Sequence, residues 1–241
     1  MIEKGRISDY TVIDLEMTGL APKTDKVIEI GAVKVRNGQI TETYGTLVRP
    51  GRPIPAQVTE LTGITDAIAA EGEEEDTAMQ SLLAFIAGDV IVGHNVTFDY
   101  SFVKQWAVNK RIPLELYACD TLRLARLLLP GEQSKKLEAL CEYFHIEREN
   151  AHRALDDAVE TQKVFEHLKE LAEGKKELLT PRLLTYKAKR QTPATEHQKE
   201  RLRELLEQYQ LKDDICWETL TRSEASRLQD KIRSDKALIS R

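Results

Sequence analysis

Three short stretches of this chain carry residues that could do metal and acid–base chemistry. They are Asp14-Leu15-Glu16-Met17-Thr18-Gly19, then His94-Asn95-Val96-Thr97-Phe98-Asp99, then His152 followed five residues on by Asp157. Together they supply the carboxylates of Asp14, Glu16, Asp99 and Asp157 and the imidazole of His152. Oxygen-only ligand sets of this kind select hard cations such as Mg2+ or Mn2+ over zinc. Two such ions about 4 Å apart can activate an attacking water and stabilise a leaving oxygen. With His152 as the base that deprotonates water, the set is equipped to cut phosphodiester bonds. Without metal the clustered carboxylates would repel one another and hold protons, so metal binding should organise the site.

Each motif alone also has a plainer reading. Side chains alternate along a strand, so Asp14 and Glu16 share a face, about 7 Å apart, while Ile13, Leu15 and Met17 share the other. Such a pair could simply mark a strand end at the surface. The following Thr18-Gly19 argues otherwise, because glycine permits a turn that brings backbone N–H groups close to a ligand. Asp99 falls in the first turn of a helix, where the dipole favours a carboxylate as a cap. Phe98 and Phe102 share a helix face and suit a core; Trp106 does too. His152 precedes a helix and Asp157 lies within its first turn and a half, which puts a base on a connecting segment and a ligand on a rigid one. His145 and His167 lack such a context and read as surface or packing residues, and His197 as part of a terminal helix start.

The elements that must position these residues follow from periodicity and punctuation. Residues 10–16 read as a β-branched strand and 27–36 as a second. Asn37-Gly38 is a two-residue hairpin signal, so 40–48 returns antiparallel. Pro50, Pro53 and Pro55 mark a loop, and 58–65 a helical turn ending at Gly63. Residues 77–87 carry Met79, Leu82, Leu83 and Ile86 on one helix face. A short strand over 89–92 stops at Gly93, and a helix over 98–109 follows. A strand over 116–119 and a helix over 121–129 come next, then helices over 134–144 and 154–172. Three antiparallel strands followed by alternating strands and helices predict an α/β architecture, a mixed sheet flanked by helices.

Charge divides the chain. Residues 1–173 carry 19 Lys+Arg against 29 Asp+Glu, a balance of −10, whereas residues 174–241 carry 16 against 11, a balance of +5. The excess lies in 174–195, where Lys175, Lys176, Arg182, Lys187, Lys189 and Arg190 face Glu177 alone. That stretch, with Gly174, Pro181 and Pro193, reads as a basic linker: either a solvated connection or a strip that tracks a nucleic-acid backbone. Bound metal would offset part of the body's negative charge. From Thr195 a new pattern opens with a capping box to Gln198 and a stripe of Leu202, Leu205, Leu206 and Tyr209. A second short helix opens at Thr221 with Ala225, Leu228 and Ile232 inward. The expected division is a body over 1–173 that carries the three motifs, a basic linker over 174–195 and a small helical C-terminal module over 196–241. That module resembles one appended to nucleic-acid enzymes and equally fits a helical hairpin packed on the body. No apolar run approaches the ~18 residues of a membrane span, and Met1 to Arg6 lack the apolar stretch of a signal peptide. Three scattered cysteines, Cys119, Cys141 and Cys216, suggest a reducing, cytoplasmic setting.

Asp14-x-Glu16, His-Asn-x-x-Phe-Asp99 and His152-x-x-x-x-Asp157 resemble the motifs of the DEDDh exonucleases in the DnaQ-like family. Lesser stretches at 54–64 and 120–126 extend the likeness over roughly residues 7–172. The resemblance implies an RNase H-like fold and 3′→5′ removal of nucleoside 5′-monophosphates from DNA 3′ ends, single-stranded or frayed. It implies that Asp14 bridges two Mg2+ or Mn2+ ions, that Glu16 and Asp157 complete one and Asp99 holds the other, and that His152 is the general base. Met17 and Thr18 would contact the terminal nucleotide through backbone groups, Leu20 would wedge at the last base, and Asn95 and Phe98 would line the pocket. Histidine rather than tyrosine in the third motif selects the DEDDh subgroup. A DNA polymerase partner fits this family, but the tail does not resemble the polymerase-binding tail of the family's polymerase-associated members, and Gln208-Tyr209-Gln210-Leu211 makes a poor clamp-binding peptide. The same chemistry on RNA ends, and a non-catalytic scaffold that binds nucleic acid or a polymerase, are the competing readings.

Overall fold

The computed structural model describes residues 7–148, 152–213 and 215–239, those after 234 by backbone alone. The reading drawn from Met1 to Arg6 lies outside these residues. Two compact units are present. The first comprises residues up to 107 and 113–188, and the second 108–112 together with 189 onward.

The first unit is built on a seven-stranded mixed sheet. Strands β1 (Tyr10–Met17), β2 (Val27–Arg36) and β3 (Gln39–Arg49) form an antiparallel meander. The β2–β3 turn is Asn37-Gly38, with φ of 52° and 78°, the two left-handed residues that let a tight hairpin follow the twist of its strands. Helices α1 (Ala56–Thr62) and α2 (Asp66–Ala70) come next, with Gly63 closing α1 at φ 72°. Then follow β4 (Glu73–Glu74), α3 (Glu75–Ile86), β5 (Ile91–Gly93), α4 (Thr97–Lys110), β6 (Tyr117–Asp120), α5 (Thr121–Leu128), α6 (Leu137–Tyr143) and α7 (Ala154–Leu171). The sheet order is β4-β3-β2-β1-β5-β6-β7, with β5 parallel to β1 and β6 parallel to β5.

Strand β7 (Arg182–Leu183) corrects the expected linker. It pairs antiparallel with β6 after a 3-10 turn over Lys176–Leu179, and Leu179 and Leu184 are buried. Part of the basic stretch is therefore an edge of the sheet. A two-residue strand carries no period to detect; the open edge of β6 and two leucines decide its place.

Helix α7 packs across β1 and β2, running opposite to β1. Near its C-terminal half, Phe165 meets Tyr10 edge-to-face at 5.0 Å, within a core that includes Val12, Val33, Val35, Val164 and Leu168. Along that face of β1, Tyr10 and Val12 belong to the core, and the next two residues with the same orientation are Asp14 and Glu16. The strand thus passes from apolar to acidic on one face just where the N-terminal turn of α7 lies. On the other face Ile28 packs with Ile54, Ile64 and Ala69.

In the second unit, α8 (Glu196–Gln208) and α9 (Arg222–Ile239) enclose Ala194, Leu202, Leu220 and Ala225, with Leu228 and Ile232 against them. Thr195 and Gln198 form the expected reciprocal cap of α8. At α9, Thr221 and Glu224 make the same exchange, each accepting the other's backbone N–H. Helix α9 spans 18 residues, so it is not the short helix expected. Among the described residues no helix is long and apolar enough to cross a membrane.

Candidate functional site

The end of β1, the first turn of α4 and the first turn of α7 bring the acids together. Strand β5 pairs with β1 only at Thr11 and Val12 and ends at Gly93. Beyond it the Leu15 N–H loses its strand partner and donates instead to Asp99 Oδ1 at 3.1 Å. Asp99 is therefore stitched to the backbone between Asp14 and Glu16. From α7, Asp157 joins Glu16 and His152, whose nearest ligand atoms all lie within 4.8 Å of one another. Asp157 N–H donates to Arg153 O at 2.9 Å, the first bond of the helix. His152 precedes α7 at φ 62°, a left-handed conformation that a non-glycine residue keeps only when its surroundings impose it.

Burial and like charge hold protons on Asp14, Glu16 and Asp99. The Asp14 carboxyl is pushed well above its ordinary range, first by burial and then by Asp99, Asp157, Glu16 and Glu29. Glu16 is raised to about 7 by burial, then by Asp157 and Glu29. Asp99 is raised to about 8, chiefly by burial, against its backbone hydrogen bonds. Such a cluster of buried oxygens without a neutralising cation costs stability. Oxygen donors dominate the set, so its chemistry fits hard divalent cations.

The remaining expected residues are placed as follows. Met17 and Thr18 are buried. Thr18 N–H donates to Lys26 O at 2.8 Å, and its hydroxyl accepts from Lys26 N–H at 2.9 Å. The turn after β1 thus takes up the Thr18 N–H and hydroxyl. Leu20 stands 82% exposed outside the acidic cluster. Asn95 is exposed at φ 62°, its N–H held by Asp120 Oδ1 at 3.1 Å. Phe98 is half-buried and edge-on to Phe102 at 5.5 Å.

Four further charged residues escaped the motif reading. Arg148 donates from Nη2 to Asp157 Oδ1 at 2.9 Å and from Nε to Glu160 Oε2 at 2.7 Å. Glu29, buried on β2 opposite Glu16, accepts from Arg153 Nη2 at 2.7 Å and from the Ala154 N–H at 2.9 Å. One signal was legible: Glu29 interrupts an otherwise apolar run from Val27 to Val33. Nothing in the sequence ties Arg148 to Asp157, because that contact exists only once the chain has turned into α7.

The RNase_T exonuclease family model matches residues 11–165, which hold every one of these carboxylates. The chain belongs to that exonuclease family. It is 36% identical over 157 residues to the DNA polymerase III epsilon subunit of Aquifex aeolicus, covering 65% of this chain and 78% of that one. It is 38% identical over 157 residues to the PolC-type DNA polymerase III of Caldanaerobacter subterraneus, covering 65% of this chain and 11% of the polymerase. The chain thus spans about a tenth of the length of the PolC-type polymerases it matches. Among solved structures, Exonuclease X in complex with 5′ overhanging duplex DNA superposes with a TM-score of 0.55 at 26% identity, covering 71% of this chain and 99% of that one. The nuclease domain of 3′hExo, a DEDDh family member bound to rAMP, shares the fold with a TM-score of 0.60 at 18% identity, covering 75% and 98%.

Proposed function

We propose that this exonuclease-family protein removes nucleotides from DNA 3′ ends, single-stranded or frayed, and releases nucleoside 5′-monophosphates in proofreading or repair. The observation that carries the reading is the convergence of Glu16, His152 and Asp157 beside Asp14 and the strand-stitched Asp99.

The residues act in complementary ways. Asp14, Glu16, Asp99 and Asp157 would hold Mg2+ or Mn2+, which would supply positive charge against the negative charge that builds on the scissile phosphate and would acidify water. His152 takes the proton from the attacking water, and its neighbours Glu16 and Asp157 stabilise the imidazolium that results. Asp99 anchors the end of β1 through Leu15, so the β1 carboxylates present a fixed face. Leu20, exposed beyond the cluster, inserts at the last base of a frayed end, and Asn95 and Phe98 border the terminal nucleotide. Met17 is buried at the end of β1 and meets the terminal nucleotide through its backbone. Thr18 braces the turn that carries Leu20. The names of the relatives, which are polymerase III components, support a DNA polymerase as partner.

The test is hydrolysis of 5′-labelled single-stranded DNA and RNA of matched sequence, with Mg2+, Mn2+ or EDTA, beside Asp14→Ala. A metal-dependent ladder shortening from the 3′ end and absent in the variant is expected, faster on DNA. Faster cleavage of RNA would assign the activity to RNA ends. Cleavage by Asp14→Ala equal to wild type would refute the assigned site, and no cleavage of either substrate would favour a scaffold.

A further inference from the structure

Glu29 has no place in the three motifs, yet it is a buried carboxylate beside two others. It sits in β2 directly across from Glu16 and is 6% exposed. Its charge adds to the repulsion on Asp14 and Glu16. An apolar side chain would fill the position without that repulsion, so packing alone does not account for it.

What Glu29 touches supplies a reason. Its Oε1 accepts from Arg153 Nε at 3.0 Å and Nη2 at 2.7 Å, and its Oε2 accepts from Ala154 N–H at 2.9 Å. Arg153 is the N-cap of α7, in extended conformation with φ −119° and ψ 117°, and Ala154 is the first residue of the helix. One carboxylate therefore grips consecutive residues by a side chain and by the main chain. This fixes both where the chain enters α7 and the direction from which it comes. Two residues along the same face of β2, Gly31 leaves room for that entry: a Cβ there would lie 2.1 Å from the Ala154 carbonyl carbon. The residue immediately before the gripped pair is His152, in its left-handed conformation.

We propose that Glu29 and Arg153 are positioning residues, a clasp between β2 and the start of α7 that holds the His152 imidazole beside Glu16 and Asp157. This rests on the exonuclease reading for its meaning in catalysis but not for its geometry. Two guanidinium N–H groups converge on Oε1 while Oε2 takes the main-chain N–H, so the charge-assisted grip is directional as well as attractive, which suits a base that must be placed to within a fraction of an ångström. Arg153 does not reach the reacting atoms in this arrangement; it acts through the peptide bond to His152.

The experiment compares full-length wild type with Glu29→Gln, Glu29→Ala and Arg153→Met. The first readout is independent of activity: the side-chain 15N resonances of His152 in metal-free protein, assigned by their loss in His152→Gln. Glu29→Ala and Arg153→Met should shift or split them. The second is steady-state cleavage of 5′-labelled DNA at saturating Mg2+. For those two variants kcat should fall on the order of a hundredfold, as misplacement by about an ångström does, with KM unchanged within about threefold. Glu29→Gln keeps one acceptor oxygen and turns an NH2 toward the other donor, so it can hold Ala154 or Arg153 but not both, and its loss should fall between wild type and Glu29→Ala. Should Glu29→Ala fail to fold, Arg153→Met, which leaves the Ala154 bond intact, decides. Unaltered His152 resonances in folded Glu29→Ala or Arg153→Met would overturn the proposal, as would a loss carried by KM. A Glu29→Gln protein indistinguishable from wild type in both readouts would also overturn it, because half of the clasp would then suffice. If wild type itself cleaves nothing, the exonuclease reading fails while the resonance arm still tests the clasp.

Discussion

Replacing Glu16 with glutamine should stabilise the metal-free protein at neutral and alkaline pH, and only there. The Glu16 carboxyl is raised from 4.5 to about 7 by burial, Asp157 and Glu29. A folded-state value above the unfolded one means that the protein binds the proton more tightly than the unfolded chain does. The stability linked to that proton is complete below pH 4.5 and is lost as pH rises to about 7. At about 1.4 kcal/mol per pH unit of displacement, the loss reaches about 3 kcal/mol, and the partial exposure of the side chain reduces it toward about 2 kcal/mol. Glutamine carries no such charge and keeps nearly the same shape. Urea unfolding in EDTA should therefore show wild type and Glu16→Gln of similar stability near pH 4.5, with the variant ahead by about 2 kcal/mol at pH 8. Saturating Mg2+ should reverse the order. A cation present at a hundred times its dissociation constant stabilises the wild type by about 2.7 kcal/mol, while the variant, short of one carboxylate ligand, gains less. A variant equal to or weaker than wild type at pH 8 in EDTA would refute the reasoning, and so would a difference that does not change with pH.

Other perturbations separate the parts of the site. Arg148→Met leaves Asp157 and Glu160 buried side by side without their shared guanidinium, and should destabilise the metal-free protein by about 3 kcal/mol in urea unfolding; Arg148→Met with Glu160→Met should recover part of that loss. Gly31→Ala drives a methyl group into the Ala154 backbone, so it should cost about 3 kcal/mol or more and depress kcat together with stability, as α7 is forced off β2. Leu20→Ala should leave the urea midpoint within about 0.5 kcal/mol of wild type because the side chain is exposed, yet slow cleavage of base-paired 3′ ends relative to single strands; equal slowing on both substrates would remove the wedge role.

The second unit calls for a cut chosen from the fold rather than from composition. Truncation after 173 would remove β7 from the edge of β6 together with the buried Leu179 and Leu184, and so expose the core that Leu179 covers, Cys119 and Leu124 included. The compact first unit ends at residue 188. A chain ending there keeps that edge and asks only what α8 and α9 contribute.

Local sequence determined the parts of this protein but not their meeting. Alternation along Tyr10–Met17 put Asp14 and Glu16 on one face, Asn37-Gly38 set the hairpin, and Thr195 with Gln198 announced α8, because each depends on residues a few positions apart. The motif residues were legible for the same reason: their types and short spacings are local. What only the tertiary structure decided is everything that spans the sheet. The bond from Leu15 to Asp99 joins residues 84 apart, and the clasp from Glu29 to Arg153 joins residues 124 apart. No periodicity encodes such pairs. They follow from which strand lies beside β1 and where β5 stops. The proton-holding character of Asp14, Glu16 and Asp99 arises at the same level, because a carboxylate is ordinary until packing removes its water and sets other carboxylates against it. The two-residue strand β7 was invisible for a related reason: its conformation is dictated by the free edge it completes, and not by the residues that compose it.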